Sequence, residues 1–138
     1  MSAFKVPILK VGEVLLVSIQ SDIDDRTVLE LQERVLEDIE RTNARAVLID
    51  ISLIEMVDSF TGRMLSDIAS MASIMDAETV VVGMQPAVAI TLVELGLELK
   101  GVSTALDVDD GLRILKQRMN NKHGKRVLVS DEHAASGS

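Results

Sequence analysis

The segment Asp58-Ser59-Phe60-Thr61-Gly62-Arg63 sets a carboxylate and two hydroxyls side by side at the junction of two differently patterned runs. Before it, Ala46-Val47-Leu48-Ile49-Asp50-Ile51 has the continuous apolar character of an interior strand. After it, Met64, Leu65, Ile68, Ala72 and Met75 recur at the spacing of one helical face. Ser59 therefore falls at a helix start, where a hydroxyl has three roles open to it. It can cap the helix, act as a nucleophile, or accept a phosphoryl group, because free N–H groups and the positive dipole end of a helix favour a phosphate. Asp58 has two readings beside it, a capping group or part of the surface that a kinase recognises.

Several chemistries are excluded by what is missing. Both histidines, His123 and His133, sit in a polar C-terminal stretch, so the body of the chain has no imidazole to serve Ser59 as general base. Val57 and Thr61 stand where a Gly-x-Ser-x-Gly elbow needs glycine, and a serine hydrolase is not expected. There is no phosphate loop, no dinucleotide fingerprint and no cysteine. Asp22, Asp24 and Asp25 cluster before a helical pattern, which reads as a cap and a solvated loop, with no metal and no cofactor expected. Met64, Met71 and Met75 read as core filling, whereas an exposed Met or Phe60 near Ser59 would suggest a docking surface.

The 138 residues suit one domain, and with aromatics at 1% its core must come from Leu, Ile, Val, Met and Ala. A net charge of -8 opposes binding to a phosphate backbone, and Phe4 and Phe60 alone offer no stacking platform, so no nucleic-acid partner is expected. No segment approaches the length of a membrane span and the first residues lack a long apolar core, which makes the expected location cytoplasmic.

The scaffold around Ser59 is readable from the same patterning. Residues 4–9 and 14–19 read as a hairpin around Val11-Gly12-Glu13. Val28, Leu31, Val35 and Ile39 form the inner face of a first helix, stopped at Asn43. A strand at 79–84, a helix from Pro86 to Leu95 closed by Gly96, a short strand at 101–104, and a last helix capped by Asp107 complete the order β-β-α-β-α-β-α-β-α. That order predicts an α/β fold, a mixed sheet with a leading hairpin covered by about four helices. The domain is expected over 1–119, with a polar, flexible tail over 120–138 in which Val127-Leu128-Val129 is the one apolar run.

Over residues 4–119 this order, with Asp58-Ser59 directly after a buried strand, resembles the STAS domain family, the anti-sigma-factor antagonists of bacteria. Asp58-Ser59-Phe60 followed by Gly62-Arg63, in what is expected to be a stand-alone STAS domain without an N-terminal sensor domain, is similar to the RsbS-type scaffold subunits of the stressosome. The resemblance implies a domain without catalytic activity, phosphorylated on Ser59 by an RsbT-like serine kinase that uses Mg-ATP. It places Asp24, Met56, Asp58, Phe60, Thr61, Gly62 and Arg63 around that phosphosite. It also implies a homodimer and co-assembly with RsbR-like STAS sensor proteins, the unmodified scaffold holding the kinase and the modified one releasing it. Two alternatives remain open: a stand-alone anti-anti-sigma factor, and a ligand- or nucleotide-sensing module using the groove around Ser59 and the Asp24 loop.

Overall fold

A computed structural model describes residues 6–20, 23–97, 99 and 101–121. Five strands, β1 (Ile8–Val11), β2 (Val14–Ser18), β3 (Ala46–Asp50), β4 (Glu78–Val82) and β5 (Val102–Ala105), lie side by side in chain order. β1 pairs antiparallel with β2, and every later pair is parallel, which gives the expected mixed sheet. Four helices cross over it: α1 (Asp25–Thr42), α2 (Ser59–Ile74), α3 (Pro86–Glu94) and α4, residues 108–121.

The hairpin is tighter than the sequence suggests. Val11 belongs to β1 and pairs with Val14, so that only Gly12 and Glu13 form the turn. Gly12 makes this possible by adopting φ of 59°, a conformation that costs glycine nothing. β1 starts at Ile8, and residues 1–5, where its beginning was expected, lie outside the described residues.

Strand periodicity divides the apolar residues between two cores. Leu15, Val17, Val47, Ile49 and Val81 face α1, α2 and α3. Val14, Ala46, Leu48, Val80 and Val82 face α4, which covers its side of the sheet with Val108, Leu112, Leu115 and Met119. β3 is thus buried on both faces, which is why it reads as an unbroken apolar run. In α1 the expected stripe of Val28, Leu31, Val35 and Ile39 is buried, each residue contributing about 1.5–3 kcal/mol. The helix stops where Asn43 takes φ of 54°. Asp38 is also buried there, bracketed by Arg34 and Arg41 at 3.6 and 3.1 Å.

α2 buries Met64, Leu65, Ile68 and Ala72 as expected, but Met75 does not join them. It forms the C-cap after Ile74 and turns outward, 37% exposed, while Met71 is half-buried. Asn120 and Asn121, expected in the tail, are helical in α4, and the rest of the expected tail, residues 122–138, lies outside the described residues.

Candidate functional site

The chain leaves β3 through a short, well-tethered loop. The Asp50 carboxylate accepts from the Ser52 backbone N–H at 2.9 Å, and Ile54 N–H donates to the Ile51 carbonyl at 3.0 Å. Gln85, which precedes α3, donates its side-chain amide to the Ser52 carbonyl at 2.8 Å. Gly83 lets the end of β4 come close beneath this loop, since a Cβ there would lie 2.6 Å from that of Ser52. Ile54 and Val57 are buried, and the loop therefore delivers Asp58 to one fixed position.

Asp58, not Ser59, caps α2. Its backbone is extended, its Oδ1 accepts the Thr61 N–H at 2.8 Å, and its carbonyl accepts the Gly62 N–H at 3.0 Å. That is the N-cap arrangement, a side chain satisfying a donor that the helix cannot. The Thr61 backbone N–H holds the Asp58 carboxyl below the usual aspartate value, against the opposing effect of burial. Ser59 becomes the first helical residue, relieved of capping. It is exposed, and its hydroxyl makes no hydrogen bond among the described residues.

A groove of about 310 Å³ opens beside that hydroxyl, where Val28, Leu29 and Gln32 of α1 face Ser59, Phe60 and Arg63 of α2. Leu29 is 53% exposed and Phe60 38%, so the groove has an apolar rim. Arg63 is exposed on the same side of α2. Thr61 and Gly62 point the other way. Thr61 is buried, and a Cβ on Gly62 would lie 2.6 and 2.8 Å from the methyls of Leu97 and Leu92. Gly62 seats the start of α2 against Leu92 of α3 and Leu97 just after it, and neither Thr61 nor Gly62 is displayed.

Asp24 and Met56 stand apart from the groove. Asp24 caps α1 by accepting the Thr27 N–H at 2.8 Å, and the part of α1 that reaches the groove begins four residues later. Met56 is 83% exposed on the loop before Asp58 and does not line the groove. Sequence reasoning missed Leu29, Gln32 and Asp67, the last of which also lines it. A signal for Leu29 was present, an apolar residue out of register with the inward stripe of Val28, Leu31 and Val35. No group of three or more His, Cys, Asp or Glu residues placed to hold a metal ion occurs among the described residues. None of their helices is long and apolar enough to cross a membrane.

Comparison with known proteins places the fold in a family. A serine-to-glutamate variant of Moorella thermoacetica RsbS superposes with a TM-score of 0.77 at 40% identity, covering 84% of this chain and 98% of that one. A chain from a structure of the stressosome, described as a signal integration and transduction hub, gives a TM-score of 0.70 at 39% identity, covering 82% of this chain and 98% of its own. The RsbT co-antagonist protein RsbRA of Bacillus subtilis (strain 168) is 25% identical over 115 residues, 75% of this chain. This chain spans only 42% of that longer protein. The STAS domain profile matches residues 5–111, and the chain belongs to the STAS domain family, with RsbS among its relatives.

Proposed function

We propose that this protein is a non-catalytic scaffold of a stressosome, switched by phosphorylation of Ser59. The observation that carries the reading is the exposed Ser59 hydroxyl, first in α2, unbonded among the described residues and bordered by a groove with an apolar rim. The described residues include no histidine or cysteine, and the Asp58 carboxylate is engaged by the Thr61 N–H. Ser59 is therefore read as a substrate hydroxyl that has no imidazole or thiolate base among the described residues, suited to a partner that brings base, Mg-ATP and specificity together.

An RsbT-like serine kinase is that partner. The Ser59 Oγ–phosphorus bond forms as the bond from the γ-phosphorus to the β,γ-bridging oxygen of ATP breaks. ADP leaves and the hydroxyl proton passes to the kinase. The product adds about 1.5 to 2 negative charges beside Asp58 on a chain whose net charge is already -8. Helix N–H groups tolerate the anion, so the fold survives, while a partner packed on Phe60 and Leu29 meets new charge and a desolvation cost. Unmodified protein holds the kinase and modified protein releases it. RsbR-like STAS proteins are the expected co-assembly partners, given the likeness to a stressosome chain and to RsbRA, with a homodimer through the STAS domains.

Intact-mass and peptide mass spectrometry after incubation with the kinase and Mg-ATP tests the reading. One phosphate on Ser59, absent from Ser59→Ala, is expected. Ser59→Ala should retain the kinase and Ser59→Asp should bind it roughly tenfold or more weakly, since like charges set against each other across an interface cost kilocalories. No phosphate, from a kinase active on another substrate, would overturn it.

A further inference from the structure

Seven arginines lie among the described residues, and six of them, Arg26, Arg34, Arg41, Arg45, Arg113 and Arg118, sit within 4 Å of a carboxylate. Arg63 is the exception: it is exposed and forms no ion pair with any described residue. Its position is as informative as its solitude. Arg63 follows Ser59 by one helical turn, and residues four apart on a helix stand side by side with their Cβ atoms about 5–6 Å apart. Both line the groove between α1 and α2. A guanidinium is planar, permanently charged and presents paired donors, which suits it to phosphate oxygens more than to a lone hydroxyl.

We infer that Arg63 pairs with the phosphate once Ser59 is phosphorylated and holds it along the α2 wall of the groove. This pairing rests on the phosphoacceptor reading of Ser59. The charged groups that face the new phosphate are few. Asp58 repels it, but the Asp58 carboxylate is already turned to the Thr61 N–H. Asp67, one further turn along α2, competes for Arg63 from the opposite side with a single charge. α1 contributes only the uncharged Val28, Leu29 and Gln32. The paired phosphate stands beside the exposed Phe60 on the α2 wall, so phosphorylation sets charge next to the apolar rim on which the kinase would pack. Arg63 is a positioning residue, acting through the phosphate and not on the transfer itself.

The test is independent of any kinase. The full chain is made with phosphoserine installed at position 59 during synthesis, and its phosphate is titrated by phosphorus NMR at low salt. The second phosphate ionisation, ordinarily near pH 6, is expected to lie lower with Arg63 present than in Arg63→Ala by about half a unit, a roughly threefold shift in the equilibrium. Arg63→Lys should fall between the two, and the difference should shrink as salt is added. Because Arg63 is exposed, circular dichroism should show all three chains equally folded. Superimposable titrations of the wild-type and Arg63→Ala chains would overturn the pairing. Failure of a kinase to modify Ser59 would instead remove the phosphoacceptor reading and leave the titration result standing, so the two failures are distinguishable.

Discussion

Three helices of this protein begin in the same way and do different things. Asp24, Asp58 and Asp107 each turn a carboxylate back onto the backbone N–H three residues on, at Thr27, Thr61 and Asp110, all at 2.8 Å. The residues after the cap differ. α1 continues with Asp25, an acid that suits the helix dipole, and α4 with Val108, half-buried in the second core. Only α2 continues with an exposed hydroxyl. One position further inward, four after the cap, α1 has Val28, filling the core at 1% exposure, while α2 and α4 have Gly62 and Gly111. A Cβ on Gly111 would meet Val82 and Leu48 at 2.6 and 2.9 Å, as one on Gly62 would meet Leu97 and Leu92. Capping is therefore the common device, and the residues behind the cap make the candidate site: a displayed serine on a helix seated so closely that only glycine fits beneath.

Overfilling the two glycine contacts puts this contrast under the greatest strain. Gly62→Val and Gly111→Val should each cost about 1–3 kcal/mol in urea unfolding. Gly111→Val should cost more, because Leu48 and Val82 are central and fully buried whereas Leu97 is half-buried. Compared below their unfolding transitions, only Gly62→Val should also slow phosphorylation of Ser59, because it lifts the start of α2. Equal slowing in both variants would mean that α2 is not specially seated. Next in size are the caps. Asp24→Ala and Asp58→Ala should each lose about 1 kcal/mol, measurable by the same unfolding curves. Asp58→Ala alone should change the rate of Ser59 modification. A matching change in Asp24→Ala would show that the α1 start belongs to the site after all.

Much of this architecture is legible in the residues. The continuous apolar run of β3, the stripe of α1, Asn43, Pro86 and Asp107 each carry a local signal strong enough to decide an element without tertiary information. The same local reasoning misjudges choices between neighbours. Asp58 and Ser59 are both good caps, and the loop held by Asp50 and Gln85 decides between them by fixing which one is extended. Val11 could end a strand or open a turn, and Gly12 decides by accepting a positive φ. The groove is less visible still. It depends on which face of α1 lies beside α2, and Leu29, Gln32 and Asp67 become neighbours of Ser59 only through that packing. Gly62 stands out as part of a motif, but its close approach to Leu92 and Leu97 belongs to α3 and the segment after it, thirty residues or more along the chain.

The smallest effect separates two carboxylates that the fold holds below the ordinary aspartate value for different reasons. Asp110 is lowered first by a hydrogen bond from the Arg113 side chain, an exposed pairing. Asp58 is lowered first by the Thr61 backbone N–H. In both cases the folded form binds its proton more weakly than the unfolded chain, so the stabilisation is fully present above the unfolded value, near 3.8, and is lost as pH falls through the lower folded value. The stability gap between wild type and Asp58→Asn should accordingly be constant at neutral pH and close only below about pH 4, where the carboxylate protonates. The corresponding gap for Asp110→Asn should close over a similar range but should also shrink with added salt, because its partner is a mobile charge in solvent. The Asp58 gap should respond less, because its partner is a backbone dipole fixed by the helix. Urea unfolding at two salt concentrations, from about pH 2.5 to about pH 7, distinguishes the two. Equal salt sensitivity would mean that Asp58 acts as a surface charge and not as a cap, and the distinction between the start of α2 with its exposed serine and the other helix starts would lose its structural basis.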